Sequence, residues 1–144
     1  MRFWDSSALV PLLVREPSST GVLAEFEHDS EIIVWWATEA ECASALARLE
    51  REGSLASESV RDGLLRLAGL ADAWHEIQPI SPVLRTAIRL LRVHDLPAGD
   101  ALQLSAAITA AAHQPHSLAL VTLDDRLARA AEREGFDVVR PARA

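Results

Sequence analysis

Apolar positions along this chain change period several times, and each change marks an element. Residues 2–4 are short and β-prone and end at Asp5. A helix is expected from Ser6 or Ser7 toward Val14, with Pro11 tolerated only near its first turn because proline lacks an N–H donor. Residues 18–27 read as a second helix opened by Pro17 and Ser18, and residues 31–36, rich in Ile, Val and Trp, as a strand. Residues 38–52 carry Cys42, Leu46 and Leu49 on one helical stripe, with Glu41 at its polar margin and Gly53 as the stop.

The second half repeats the alternation. Residues 57–74 place Val60, Leu64, Leu67, Leu70 and Ala71 at helical spacing, and residues 75–79 supply a short third strand. Ser81 followed by Pro82 starts a helix through Leu84, Ala87, Ile88 and Leu91. After a loop at 94–99, residues 100–112 form a nearly uncharged helix, which suggests burial between neighbours. Residues 118–122 read as a strand, 126–134 as a helix stopped by Gly135, and 136–139 as a final strand. Strands separated by helices predict an α/β fold, a three-layer α/β/α sandwich with a mainly parallel central sheet. The 144 residues suit one domain spanning 1–144, with neither a second domain nor an internal repeat.

Composition narrows the setting. Apolar residues make up 49% of the chain, enough for a sizeable core, and no apolar run approaches the roughly 18 residues of a membrane span. An acid at position 5 stands where a signal peptide would carry its apolar stretch, and the single cysteine, Cys42, reads as a small buried apolar residue; both point to the cytoplasm. The net charge of −7 argues against a general nucleic-acid-binding surface. Four clustered carboxylates account for more than half of that excess, however, and two bound divalent cations would neutralise them locally.

Those four are Asp5, Glu41, Asp100 and Asp124. In a parallel sheet, the carboxyl ends of the strands bring Asp5 and Asp124 to one edge, and adjacent helices can add Glu41 and Asp100. Carboxylates about 5 Å apart repel by up to roughly 3 kcal/mol at an effective dielectric near 20, and a divalent metal is the simplest relief. Each acid also has a structural alternative. Asp5, Asp100 and Asp124 can cap the helices that follow them, and Thr38 and Glu41 have the spacing of a capping box. Ser6 and Thr122 lie where a hydroxyl could orient a carboxylate or a water, or simply close a turn. Asp95 and Asp125 rank below the four. His75, His94, His113 and His116 show no zinc spacing, and Arg126, Arg129 and Arg133 form either a solvated face or a contact for phosphates or an acidic partner.

Four stretches carry a resemblance: Phe3-Trp4-Asp5-Ser6-Ser7-Ala8-Leu9, Glu41 through Leu46, Gly99 through Ala107, and Val121-Thr122-Leu123-Asp124-Asp125-Arg126-Leu127. In this order they resemble the PIN-domain nucleases, in particular the toxins of bacterial VapBC toxin–antitoxin modules. The resemblance implies a metal-dependent endoribonuclease in which Asp5, Glu41, Asp100 and Asp124 form the acidic catalytic and metal-binding quartet, with Ser6 where many members have threonine. It further implies Mg²⁺ or Mn²⁺ as cofactor, RNA as substrate, a cognate antitoxin whose C-terminal segment lies in or beside the groove, and a homodimer. Hydrolysis by a metal-activated water would leave 5′-phosphate and 3′-hydroxyl ends. A receiver-like Mg²⁺-binding signalling domain shares the layout, but that family and the haloacid-dehalogenase-like phosphatases rely on a lysine, and this chain has none. A non-catalytic acidic interaction protein, in which the acids only cap helices and bind an arginine-bearing partner, is the other alternative.

Overall fold

The computed structural model describes all 144 residues. Thirteen elements follow one another, beginning with β1 (Arg2–Trp4), α1 (Ser6–Leu13), α2 (Ser19–His28), β2 (Ile32–Trp35), α3 (Thr38–Arg51), α4 (Ser57–Ala73) and β3 (His75–Ile77). They continue through α5 (Ser81–Val93), α6 (Ala98–Ala110), a 3₁₀ turn (Pro115–Ser117), β4 (Ala119–Val121), α7 (Asp125–Arg133) and β5 (Asp137–Val139). All five strands are parallel, in the order β3-β2-β1-β4-β5. Helices cover both faces, giving the expected three-layer sandwich with a sheet that is parallel throughout.

Alternation along the short strands divides the interior into two cores. Phe3, Ile33, Trp35 and Leu120 face the layer of α5, α6 and α7. Trp4, Ile32, Val34 and Val121 face α1, α2, α3 and α4. Phe3 and Trp4 are both fully buried, and burial of each large side chain contributes about 1.5–3 kcal/mol. Gly53 (φ +77°) and Gly135 (φ +103°) end α3 and α7 in the left-handed region, as their sequence positions suggest.

The strand order also places the site. The chain builds outward from β1 through β2 to β3, then returns to the other side of β1 with β4. The crevice between β1 and β4 is therefore the topological switch point, where open α/β sheets expose their loops to ligands. Asp5 directly follows β1, and Asp124 lies just beyond β4.

Three expectations change. Pro11 lies in the second turn of α1, not the first; this short helix is held by burial of Ala8, Leu9, Val10, Pro11 and Leu13 rather than by a full set of backbone bonds. Helix α6 begins at Ala98 and its N-cap is Pro97, so Asp100 lies within the first turn and caps nothing. On α5, Val83, Ala87 and Leu90 are buried while Leu84, Ile88 and Leu91 are exposed, because the apolar arc is wider than its contact with α6. No helix is long and apolar enough to cross a membrane.

Candidate functional site

Asp5 caps α1 from extended backbone (φ −77°, ψ 151°) and is only 3% exposed. Its Oδ2 accepts from Ser7 N at 3.3 Å, Ser7 Oγ at 2.5 Å and Thr122 Oγ1 at 2.9 Å. Oδ1 receives only a long contact from Ser6 Oγ, at 3.4 Å. The two inner hydroxyls join neighbouring turns, since Ser7 Oγ accepts from Leu123 N and Thr122 Oγ1 from Asp124 N, each at 3.0 Å. The loop after β1 and the loop after β4 are thus tied together through Asp5.

Asp124 caps α7, accepting from Leu127 N at 3.0 Å with Oδ1. Glu41 does not form the capping box that Thr38-x-x-Glu41 permits: α3 starts from Ala37 without a side-chain cap. Instead, Ser6 Oγ donates to Glu41 Oε2 at 3.1 Å, and the Gln103 amide donates to both Glu41 oxygens at 3.2 and 3.3 Å and to Thr38 Oγ1 at 3.0 Å. Gln103 is fully buried in α6, so one amide fixes the floor of α3 against α6 and aims Glu41 at the same edge. Asp5 and Asp124 therefore combine a cap with a place in the cluster, whereas Glu41 and Asp100 have no capping role.

Glu41, Asp100 and Asp124 line an open groove of about 690 Å³ together with Ser6, Ser7 and Arg48. Asp5 sits behind the two serines. Burial raises the Asp5 carboxyl above its ordinary range, against the lowering effect of its Ser7 and Thr122 hydrogen bonds, and the Asp124 charge raises it further. Glu41 is raised by burial, offset by Gln103 and Ser6 and reinforced by Asp5. Asp100 is pushed up to about 6, first by burial and then by the charges of Asp124, Asp5 and Glu41. Arg126 alone opposes that rise, and it is engaged to Asp95 at 3.2 Å. These electrostatic effects couple all four acids.

The donor chemistry suits a hard divalent cation: carboxylate oxygens in an electrostatic deficit that positive charge would relieve. No group of three or more His, Cys, Asp or Glu side chains is drawn together closely enough to hold a metal ion. Mg²⁺ does not require such a cage, because it keeps several waters and usually takes one or two carboxylates plus substrate phosphates.

Other sequence candidates fall elsewhere. Asp95 is fully exposed and pairs with Arg126, and Asp125 pairs with Arg140 and Arg143. His94 is buried and bonds Glu134 at 2.7 Å, while His75, His113 and His116 are exposed. Burial pushes the Cys42 thiol up to about 12, in keeping with an inert core position. Sequence reasoning did not single out Gln103, and it named Ser7 only as a possible start of the first helix. The signal for Gln103 was available: an amide inside an otherwise apolar helix needs buried partners.

The PIN domain family profile matches residues 2–133, so the chain belongs to the PIN-domain family. Solved structures share its fold at low identity. FitAcB from Neisseria gonorrhoeae superposes with a TM-score of 0.65 at 19% identity, covering 99% of this chain and 98% of that one. FitAB bound to the IR36 DNA fragment gives 0.67 at 18% identity, covering 98% and 95%. PAE2754 from Pyrobaculum aerophilum gives 0.61 at 18% identity, covering 96% and 87%. No curated protein matches the chain.

Proposed function

We propose that residues 1–144 act as one metal-dependent endoribonuclease domain, the VapC-type toxin of a type II toxin–antitoxin pair. The observation that carries this reading is the convergence of Glu41, Asp100 and Asp124 on one groove, with Asp5 behind it, at the switch point of the sheet. Asp5, Asp100 and Asp124 would hold Mg²⁺ or Mn²⁺, one or two of them directly and the rest through the cation's waters, and Glu41 would complete the shell directly or through water. When bound, the cation supplies a water acidic enough to attack at neutral pH and neutralises charge on the phosphate.

The protein's part is orientation and charge. Ser7 and Thr122 spend their protons on Asp5 Oδ2, which favours the ionised form of that carboxylate against its burial and leaves Oδ1 the freer oxygen. Ser6 and Gln103 hold Glu41 toward the groove. A cognate antitoxin and a second copy of the chain are the proposed protein partners. FitAB was solved on a DNA fragment, and that likeness supports nucleic acid as the setting of this assembly.

The test is incubation of purified protein with total cellular RNA in Mg²⁺ or in EDTA, followed by mapping of the ends. Cleavage in Mg²⁺ alone, leaving 5′-phosphate and 3′-hydroxyl ends, is expected, with Asp5→Asn folded but inactive. Metal-dependent cleavage retained by purified Asp5→Asn would remove the role given to Asp5. Calorimetry with Mn²⁺ separates the non-catalytic alternative: binding to the wild type no stronger than to Asp100→Asn favours an interaction protein.

A further inference from the structure

One cation faces the acidic groove. Arg48 lines it on α3, on the same side of the helix as Glu41, Ser44 and Ala45, and it is the one basic side chain that does so. Arg48 is exposed and makes no ion pair, although Glu16 lines the same groove and Glu52 stands one turn further along α3. Five of the other arginines, Arg2, Arg89, Arg126, Arg140 and Arg143, are paired with carboxylates in the folded chain, whereas Arg48 is among those that are not, and it alone of these lines the groove. An unpaired arginine in a field of uncompensated acid is available to an anion from outside.

We infer that Arg48 anchors a backbone phosphate of the RNA flanking the scissile bond, fixing the register of the strand along α3; this rests on the ribonuclease reading above. Seven residues separate Glu41 from Arg48, so about 10 Å of helix lies between the acidic end of the groove and the guanidinium's root, the span of a very few nucleotides. A planar guanidinium can take two phosphate oxygens at once, which positions a strand without reading its bases. Between Glu41 and Arg48 the α3 wall carries the small side chains Ser44 and Ala45, and Ala37 and Ala40 line the groove on the N-terminal side of Glu41, so a sugar–phosphate backbone can approach α3 closely. The division of labour follows: the carboxylates serve the attacked phosphate, and Arg48 is a positioning residue for its neighbour.

Cleavage of a single-stranded RNA by the full chain in Mg²⁺ should be followed for wild type, Arg48→Ala and Arg48→Lys, with melting temperature as the folding control. The alanine variant is expected to melt with the wild type, to raise KM about tenfold with kcat nearly unchanged, and to flatten the salt dependence by about 0.7 in the log–log slope, the signature of one lost phosphate contact on a single strand. Lysine should restore the slope and part of the affinity. Unchanged KM and salt slope in Arg48→Ala, with wild type active, overturn the anchor and leave the nuclease reading standing. A wild type that neither cuts nor binds RNA overturns both.

Discussion

Thr122 does at the scale of one residue what the site needs most: it donates to the buried Asp5 carboxylate and accepts from the backbone of Asp124. Valine has nearly its shape and neither function. Thr122→Val should leave Asp5 with Ser7 as its one strong hydroxyl donor, so the carboxylate shifts further toward its protonated form and loses its orientation. Loss of such a supporting partner typically costs roughly 10–100-fold in metal affinity or activity. Mn²⁺ titration and RNA cleavage should both fall within that range, while circular dichroism stays native. Wild-type Mn²⁺ affinity in Thr122→Val would mean that Ser7 alone suffices. Ser7 differs in kind, because its Oγ also receives Leu123 N, so its removal would loosen the joint between two loops as well as the carboxylate.

Helix α4 carries two glycines whose substitution should act in opposite directions. A Cβ at Gly69 meets nothing within 4 Å, so Gly69→Ala should gain helix propensity, about 0.5–1 kcal/mol, and raise the melting temperature. A Cβ at Gly63 would lie 3.1 Å from Val14 Cγ1, 3.2 Å from Leu46 Cδ1 and 3.3 Å from the Leu13 carbonyl. Crowding of that kind costs about 1–3 kcal/mol and outweighs the propensity gain, so Gly63→Ala should melt lower than wild type. Thermal melts of the two variants side by side decide it; a stabilised Gly63→Ala would show that α1 and α3 yield freely.

The same scale shows where sequence was informative. The alternation of short strands and helices made the layer architecture legible, because parallel strands bury both faces and read as short apolar runs. On α5 the pattern was ambiguous, since Val83, Ala87 and Leu90 form one stripe and Leu84, Ile88 and Leu91 another one residue away, and only the position of α6 chooses between them. The four acids and their possible capping roles could be named from their places beside strands and helices, but which of them cap in the fold could not. Asp124 caps α7 through a local bond, but Glu41 abandons its capping box for Gln103, sixty-two residues away in the chain and visible only once α3 and α6 are packed.

At the scale of the whole molecule, the acidic cluster sets stability against function. Asp100 titrates near 6 in the folded protein against 3.8 as its ordinary value, and Asp5 and Glu41 are also raised. A raised carboxyl binds protons more tightly when folded, so its stabilising contribution is complete below 3.8 and is lost as pH climbs through about 6. In EDTA the protein should therefore melt higher at pH 5 than at pH 7. Further acidification should reverse the trend, because Glu134 and Asp29 have lowered values and their contribution fades as pH falls below the ordinary carboxylate range. A divalent cation inverts the order: it needs the ionised carboxylates, so its stabilisation should be greatest above pH 6 and should vanish toward pH 5, reaching about 2.7 kcal/mol when present at 100 times its Kd. Asp100→Asn should raise the melting temperature in EDTA at pH 7, match the wild type near pH 4, and gain little from Mn²⁺ at either pH. Melts from pH 4 to 8 with EDTA or Mn²⁺ measure all of this, and a wild type whose melting temperature in EDTA rises from pH 5 to 7 in parallel with Asp100→Asn would mean that the acids at the groove do not repel one another enough to call for a cation.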